Sequence, residues 1–200
     1  MEALIGDYHA FISLTLSLLD DAGFDARTHE IDHLCYRCAT LAEYKAKCLA
    51  LVPAWGKLLT ESVINGRPIA TVLLHRPLEA EGITVRLLEI PAPKVGRGYA
   101  SGLEHAEVVV GEPADGPTGN APLLALMADC AGDPSIELGK GPLSWNTSSL
   151  ALARNAEISC TWPAHGLTVK FHARPLDEVI EWELANGGVE AVAPGTGAFT

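Results

Sequence analysis

The sequence predicts an α+β fold in which one chain carries two βαβββ modules behind an N-terminal helix, and three observations support that reading. Residues 31–90 read in the order strand, helix, strand, strand, strand. The same order begins again at Leu103. An acid followed by a histidine opens both halves, Asp32-His33 in the first and Glu104-His105 72 positions later.

The first helix is expected over residues 2–22, because Leu4, Tyr8, Phe11, Ile12, Thr15, Leu18 and Leu19 recur at spacings of three and four, and Gly23 is a natural stop. Ile31 to Cys38 follows as a strand. Thr40-Leu-Ala-Glu43 is a capping box that opens a helix whose Leu41, Tyr44, Cys48, Leu51 and Val52 share one face, ending near Pro53 and Gly56. Strands over 57–64 and 67–75 flank Asn65-Gly66, the dipeptide best suited to the positive φ angles of a two-residue hairpin turn. Ile83 to Ile90 completes module one, 31–90, before Pro91-Ala-Pro93 breaks the pattern. Module two, 103–173, begins with a strand over 103–110, then a Gly/Pro-rich loop and a helix over 122–131. Further strands are expected near Ile136, over 156–162 and over 167–173. A last helix, 176–184, follows Pro175, and residues 187–200 read as a flexible tail on a single domain spanning 1–186.

Composition narrows the function classes. The 14 basic and 25 acidic side chains give a formal net charge of -11 with no basic stripe, which argues against a nucleic-acid partner. The apolar start lacks a basic n-region and carries Asp7, so it reads as an amphipathic helix, not an export signal. No run approaches the roughly 20 apolar residues that cross a bilayer, and a soluble, cytoplasmic protein is expected. Five cysteines match no disulfide framework, so reduced thiols are expected. Cys35 and Cys38 form a C-x-x-C, but on a strand they point to opposite faces and read as small core residues.

If the two modules pack about a pseudo-twofold axis, His33 and His105 face one cleft, which is what a metal needs from imidazoles. Each module should add a second ligand from its last strand. In the first this is Glu89, placed inward by alternation with Val85 and Leu87, where a carboxylate requires compensation from a metal or from Arg37 or Arg86. In the second His172 is the nearest counterpart, although aligning the Thr-Val pairs at 84 and 168 would set Ala173 opposite Glu89 instead. Glu107 shares a face with His105 and is a candidate general base, a partner of a ligand, or an ordinary ion-pair acid. His9, His29, His75 and His165 fall on helix surface, loops or strand ends and are given no role.

These stretches resemble the YecM family, within the glyoxalase-like vicinal oxygen chelate superfamily. The resemblance runs over about residues 5–185. It is carried by Asp32-His33 with Arg37-Cys38, Leu59-Thr-Glu61-Ser-Val-Ile-Asn65-Gly-Arg-Pro-Ile69, Leu88-Glu89-Ile-Pro91, Glu104-His105-Ala-Glu107 and Val169-Lys-Phe-His172. It implies the paired-module fold of the glyoxalase/bleomycin resistance/dihydroxybiphenyl dioxygenase-like type and one divalent metal ion. His33, Glu89 and His105 fit the ligand positions, while His172 departs from the frequent Glu and leaves the fourth to it or to water. The donor set suits iron(II), manganese, nickel or zinc.

Two functions follow as expectations. One is an isomerase, lyase or oxygenase in which the metal binds adjacent oxygens of a small molecule, with Glu107 or a displaced Glu89 as base. The other is a metal-free protein that sequesters a small molecule, since the same fold serves both. A third reading is a domain working through protein contacts. The oligomeric state is left open.

Overall fold

The computed structural model describes residues 1–110, 121–131, 143–150, 152 and 155–187. The strand expected near Ile136, the Gly/Pro-rich loop and the tail beyond Gly187 lie outside these residues. The helix expected over 2–22 is two helices, α1 (Glu2–Ile5) and α2 (Tyr8–Asp21). Gly6 adopts φ 85 and the Asp7 carboxylate accepts a hydrogen bond from the Ala10 amide, so the helix restarts there with its own cap. A short 3-10 turn leads into β1 (Glu30–Arg37).

α3 (Leu41–Trp55) starts as expected, with Thr40 Oγ1 accepting from the Glu43 amide and the Glu43 carboxylate accepting from the Ala39 amide. β2 (Gly56–Ile64) and β3 (Arg67–Ala80) are joined through Asn65 at φ 53 and Gly66 at φ 74, the geometry of the expected hairpin. β3 runs past residue 75 to a second such turn at Glu81 and Gly82, which leads into β4 (Ile83–Pro91). Its pairing with β4 skips between Leu73 and Leu78, an irregularity that accommodates Pro77 inside the strand. In the second half β5 (Gly102–Val109), α4 (Ala121–Ala131), β7 (Glu157–Trp162) and β8 (Leu167–His172) match expectation. A short β6 (Ser144–Asn146) pairs with β7 in a segment whose pattern shows no strand. No helix among the described residues is long and apolar enough to cross a membrane.

The strands form one eight-stranded mixed sheet in the order β2-β3-β4-β1-β5-β8-β7-β6. The order is a palindrome of the two modules, with β1 and β5 side by side at the centre. Their antiparallel register pairs Leu34 with Ala106, His33 with Glu107 and Cys35 with His105. The 72-residue repeat maps Leu34 onto Ala106, so the pseudo-twofold axis passes through that pair.

Alternation then sorts the side chains. Leu34, Leu88, Ala106, Val108, Val169 and Phe171 join the core that α2 and α3 cover. His33, Cys35, Glu89, His105, Glu107 and Lys170 point to the other face. α5 (Leu176–Asn186) follows β8 but lies against β2, and its Val179 and Ile180 are buried outside that core. Its first amide bonds to Asp32 on β1. Eleven residues span roughly 16 Å, close to the roughly 14 Å from β1 to β2 across three strand spacings. The helix therefore crosses the site-bearing face.

Gly56, where α3 passes into β2, has no room for a side chain, since a Cβ there would sit 2.5 Å from Val72 Cγ1 and 2.6 Å from the Leu73 carbonyl oxygen. Gly56→Ala is expected to destabilise the fold by about 1–3 kcal/mol, read by urea denaturation. An unchanged midpoint would show that the junction can relax.

Candidate metal centre

The acid-histidine echo has a structural cause. The β1 and β5 registers skip Asp32 on one strand and Glu104 on the other, so each acid is the extra residue of a β-bulge. The repeat maps one bulge onto the other. Each bulge turns an acid that simple alternation would send away back toward the Nδ1 of the histidine that follows it. His33 Nδ1 lies 2.9 Å from Asp32 Oδ2. A carboxylate only accepts, so Nδ1 is the donor and Nε2 is aimed into the site. Asp32 Oδ2 also accepts from the Leu176 amide at 3.0 Å, which ties the start of α5 to the same carboxylate. The second half is looser. Glu104 Oε2 stands 3.9 Å from His105 Nδ1 and is drawn into a salt bridge with Arg37.

Glu107 is the hub. Its Oε1 is 3.3 Å from His33 Nε2, 3.3 Å from His105 Nε2 and 2.6 Å from Lys170 Nζ, which donates to it. His105 Nε2 is 3.9 Å from Glu89 Oε2. Donor atoms of His33, Glu89, His105 and Glu107 all lie within 4.8 Å of one another. Glu89 takes neither Arg37 nor Arg86 as partner, because these pair with Glu104, and with Glu30 and Asp177.

His172 stands outside that group of four. It is 1% exposed, and its Nε2 lies 3.5 Å from Asp32 and 3.9 Å from Glu107. The register explains its place. Cys35 pairs with Glu89 on β4, and Glu107, the repeat counterpart of Cys35, pairs with Lys170 on β8. The counterpart of Glu89 is thus Lys170, neither His172 nor Ala173. Lys170 went unmarked in the sequence, although alternation along Thr168, Lys170 and His172 puts it on the histidine's face. Its ammonium also reaches Glu157 at 3.2 Å.

These contacts set the charges. Burial alone would push the Glu107 carboxyl up, but Lys170 and the two histidines hold it well below the usual carboxylate range. Burial opposes a charge on His33 as well, yet Glu107 and Asp32 outweigh it and raise that imidazole well above its ordinary value. His105 moves the other way, because burial and Lys170 disfavour its charged form. Burial likewise lowers His172. It pushes the Cys35 thiol up, with Glu89 adding to the effect, so the thiol stays protonated. Cys35 and Cys38 are both buried and face opposite sides, with only Cys38 in the α2/α3 core.

The residues fit a cation. His33 Nε2 and His105 Nε2 are buried and have no hydrogen-bond partner, although each points at carboxylate oxygens. Buried polar atoms are rarely left so. An ion would satisfy both nitrogens and offset Glu89 and Glu107 together.

Comparison with known proteins places the chain. The family model described as YecM protein matches residues 1–183. Protein YecM of Escherichia coli (strain K12) is 32% identical over an alignment of 135 residues that covers 64% of this chain and 67% of that protein. An uncharacterized protein of Haemophilus influenzae is 32% identical over 111 residues, 55% of this chain and 57% of its own length. The solved structure of protein EC4020 from structural genomics superposes with a TM-score of 0.68 at 30% identity, covering 87% of each chain. A methylmalonyl-CoA epimerase of Streptomyces coelicolor is a more remote likeness, with a TM-score of 0.43 at 13% identity over 72% of this chain and 95% of that one. With the family model spanning nearly the whole chain and the EC4020 structure matching its fold, this chain belongs to the YecM protein family.

Proposed function

We propose that this chain is a divalent-metal protein of the vicinal oxygen chelate type, acting as an isomerase, lyase or oxygenase on a small molecule with adjacent oxygens. The observation that carries the reading is the convergence of two buried, unsatisfied Nε2 atoms and two carboxylates within 4.8 Å. His33, His105 and Glu89 are the ligands in this reading. Two imidazoles and a carboxylate suit iron(II), manganese, nickel or zinc. His172 is a further donor behind Glu107. When bound, the ion supplies Lewis-acid polarisation of substrate oxygens.

The chain's own residues do the rest. Glu107, ionised beside Lys170, is the base of this reading, and its lowered proton affinity restricts it to protons that the bound molecule gives up readily. Asp32 fixes the His33 ring so that only Nε2 is offered. The buried face under α5 limits access of bulk water, which strengthens each of these interactions.

One observation favours a second reading, a metal-free binding module. Lys170 and a charged His33 already balance Glu107 without any ion. Elemental analysis after anaerobic purification and reconstitution tests the first reading, since a protein that takes up no stoichiometric metal is not a metal-dependent enzyme.

Three outcomes are expected. His33→Ala and His105→Ala lose the metal, and Asp32→Asn weakens its affinity by about 10- to 100-fold with the fold intact by circular dichroism. A full-affinity Asp32→Asn protein would remove the orienting role. The raised pKa of His33 means that the ion must displace a proton, so affinity measured by competitive titration should climb about tenfold per pH unit until that imidazole is neutral. A flat profile with no proton release would contradict His33 as a ligand. Lys170→Met leaves Glu107 buried without its ammonium and should cost the metal-free protein about 3 kcal/mol in denaturation. Added metal should recover most of that loss, and failure to recover it would separate Glu107 from the ion.

A further inference from the structure

A second feature of the fold is a cleft of about 340 Å³ at the ends of β1 and β4, where β3 begins and the segment joining the two modules passes over. Its walls carry Arg67, Lys94 and Arg97 beside Leu41, Pro68 and Val95, and no carboxylate lines it. That is unexpected in a chain with 25 acids to 14 bases. Elsewhere Arg27, Arg37, Arg86 and Lys170 each take a carboxylate partner, whereas among the described residues Lys45, Lys57 and Arg76 stand singly. Among the described residues Arg67, Lys94 and Arg97 form no salt bridge. The Arg67 guanidinium is held from one side by donating to the Ala92 carbonyl at 3.0 Å, while its Nε is buried with no acceptor. A Cβ on Gly66 or Gly96 would meet nothing within 4 Å, so the cleft is open at both glycines.

Three unneutralised cations with one guanidinium fixed in place, set against apolar walls, form a site for an anion attached to an apolar body. We infer that this cleft binds the phosphate-type anionic end of a small molecule with an apolar body. Binding at this cleft does not depend on the metal-centre reading.

The test uses the whole 200-residue chain stripped of metal, so that it reads the cleft alone. Phenyl phosphate is titrated while the amide resonances of Gly66, Gly96 and Arg97 are followed, with phenol as the uncharged control and sedimentation with phosphatidylserine vesicles as a parallel arm. Saturable shifts with phenyl phosphate but not phenol are expected. Affinity should fall at least about tenfold in Arg67→Gln and in the Lys94→Gln/Arg97→Gln double variant, the size of a lost charge-assisted contact. His33→Ala protein should bind as the parent does. Equal affinity in the cleft variants, absence of saturation, or binding to vesicles without binding to phenyl phosphate would overturn the proposal. None of these results depends on whether the histidines hold a metal.

Discussion

The antiparallel pairing of β1 with β5 positions the whole site, because it brings the first strands of two sequence-distant modules into hydrogen-bonding register about Leu34 and Ala106. A slip of one residue would turn every side chain over and send both histidines into the α2/α3 core. The register is held from the other face. Leu34, Ala106 and Val108 are fully buried there, with Leu88 and Val169 from the flanking parallel strands. The apolar side of the sheet thus fixes the geometry of its polar side, and the polar side cannot drift without opening the core.

On that polar side the dominant cost is a buried carboxylate. An ionised Glu107 in this setting is tolerable only because an ammonium and two imidazoles surround it. The arrangement divides the histidines into different electrical states, His33 charged by its acids and His105 neutral beside Lys170. Two residues related by the repeat therefore differ in charge while matching in backbone position. α5 adds a mechanical link, since its first amide and the His33 ring share one oxygen of Asp32.

Much of this was legible in the sequence because it is local. The Thr40 capping box, the Asn65-Gly66 turn and the paired acid-histidine motifs are set by neighbouring residues and survive into the structure. What was missed depends on relations between strands. Bulges at Asp32 and Glu104 break the period-two rule, so the direction of these two acids does not follow from alternation. Lys170 was overlooked because its meaning comes from the pairing of β8 with β5, which no local pattern encodes. The break at Gly6 was hidden for another reason: apolar spacing continues across it, and only the glycine conformation with the Asp7 cap ends the helix. The path of α5 across to β2 is likewise tertiary, since its apolar stripe fits any face that needs covering.

The placement of Lys170 opposite Glu89 has a consequence for the symmetry of the site. Two identical modules would bring every side chain twice and leave the polar face unchanged by a half-turn. Here the half-turn exchanges a carboxylate for an ammonium. The backbone repeats while its charge does not, so the polar face carries an electric direction from the Lys170 side to the Glu89 side.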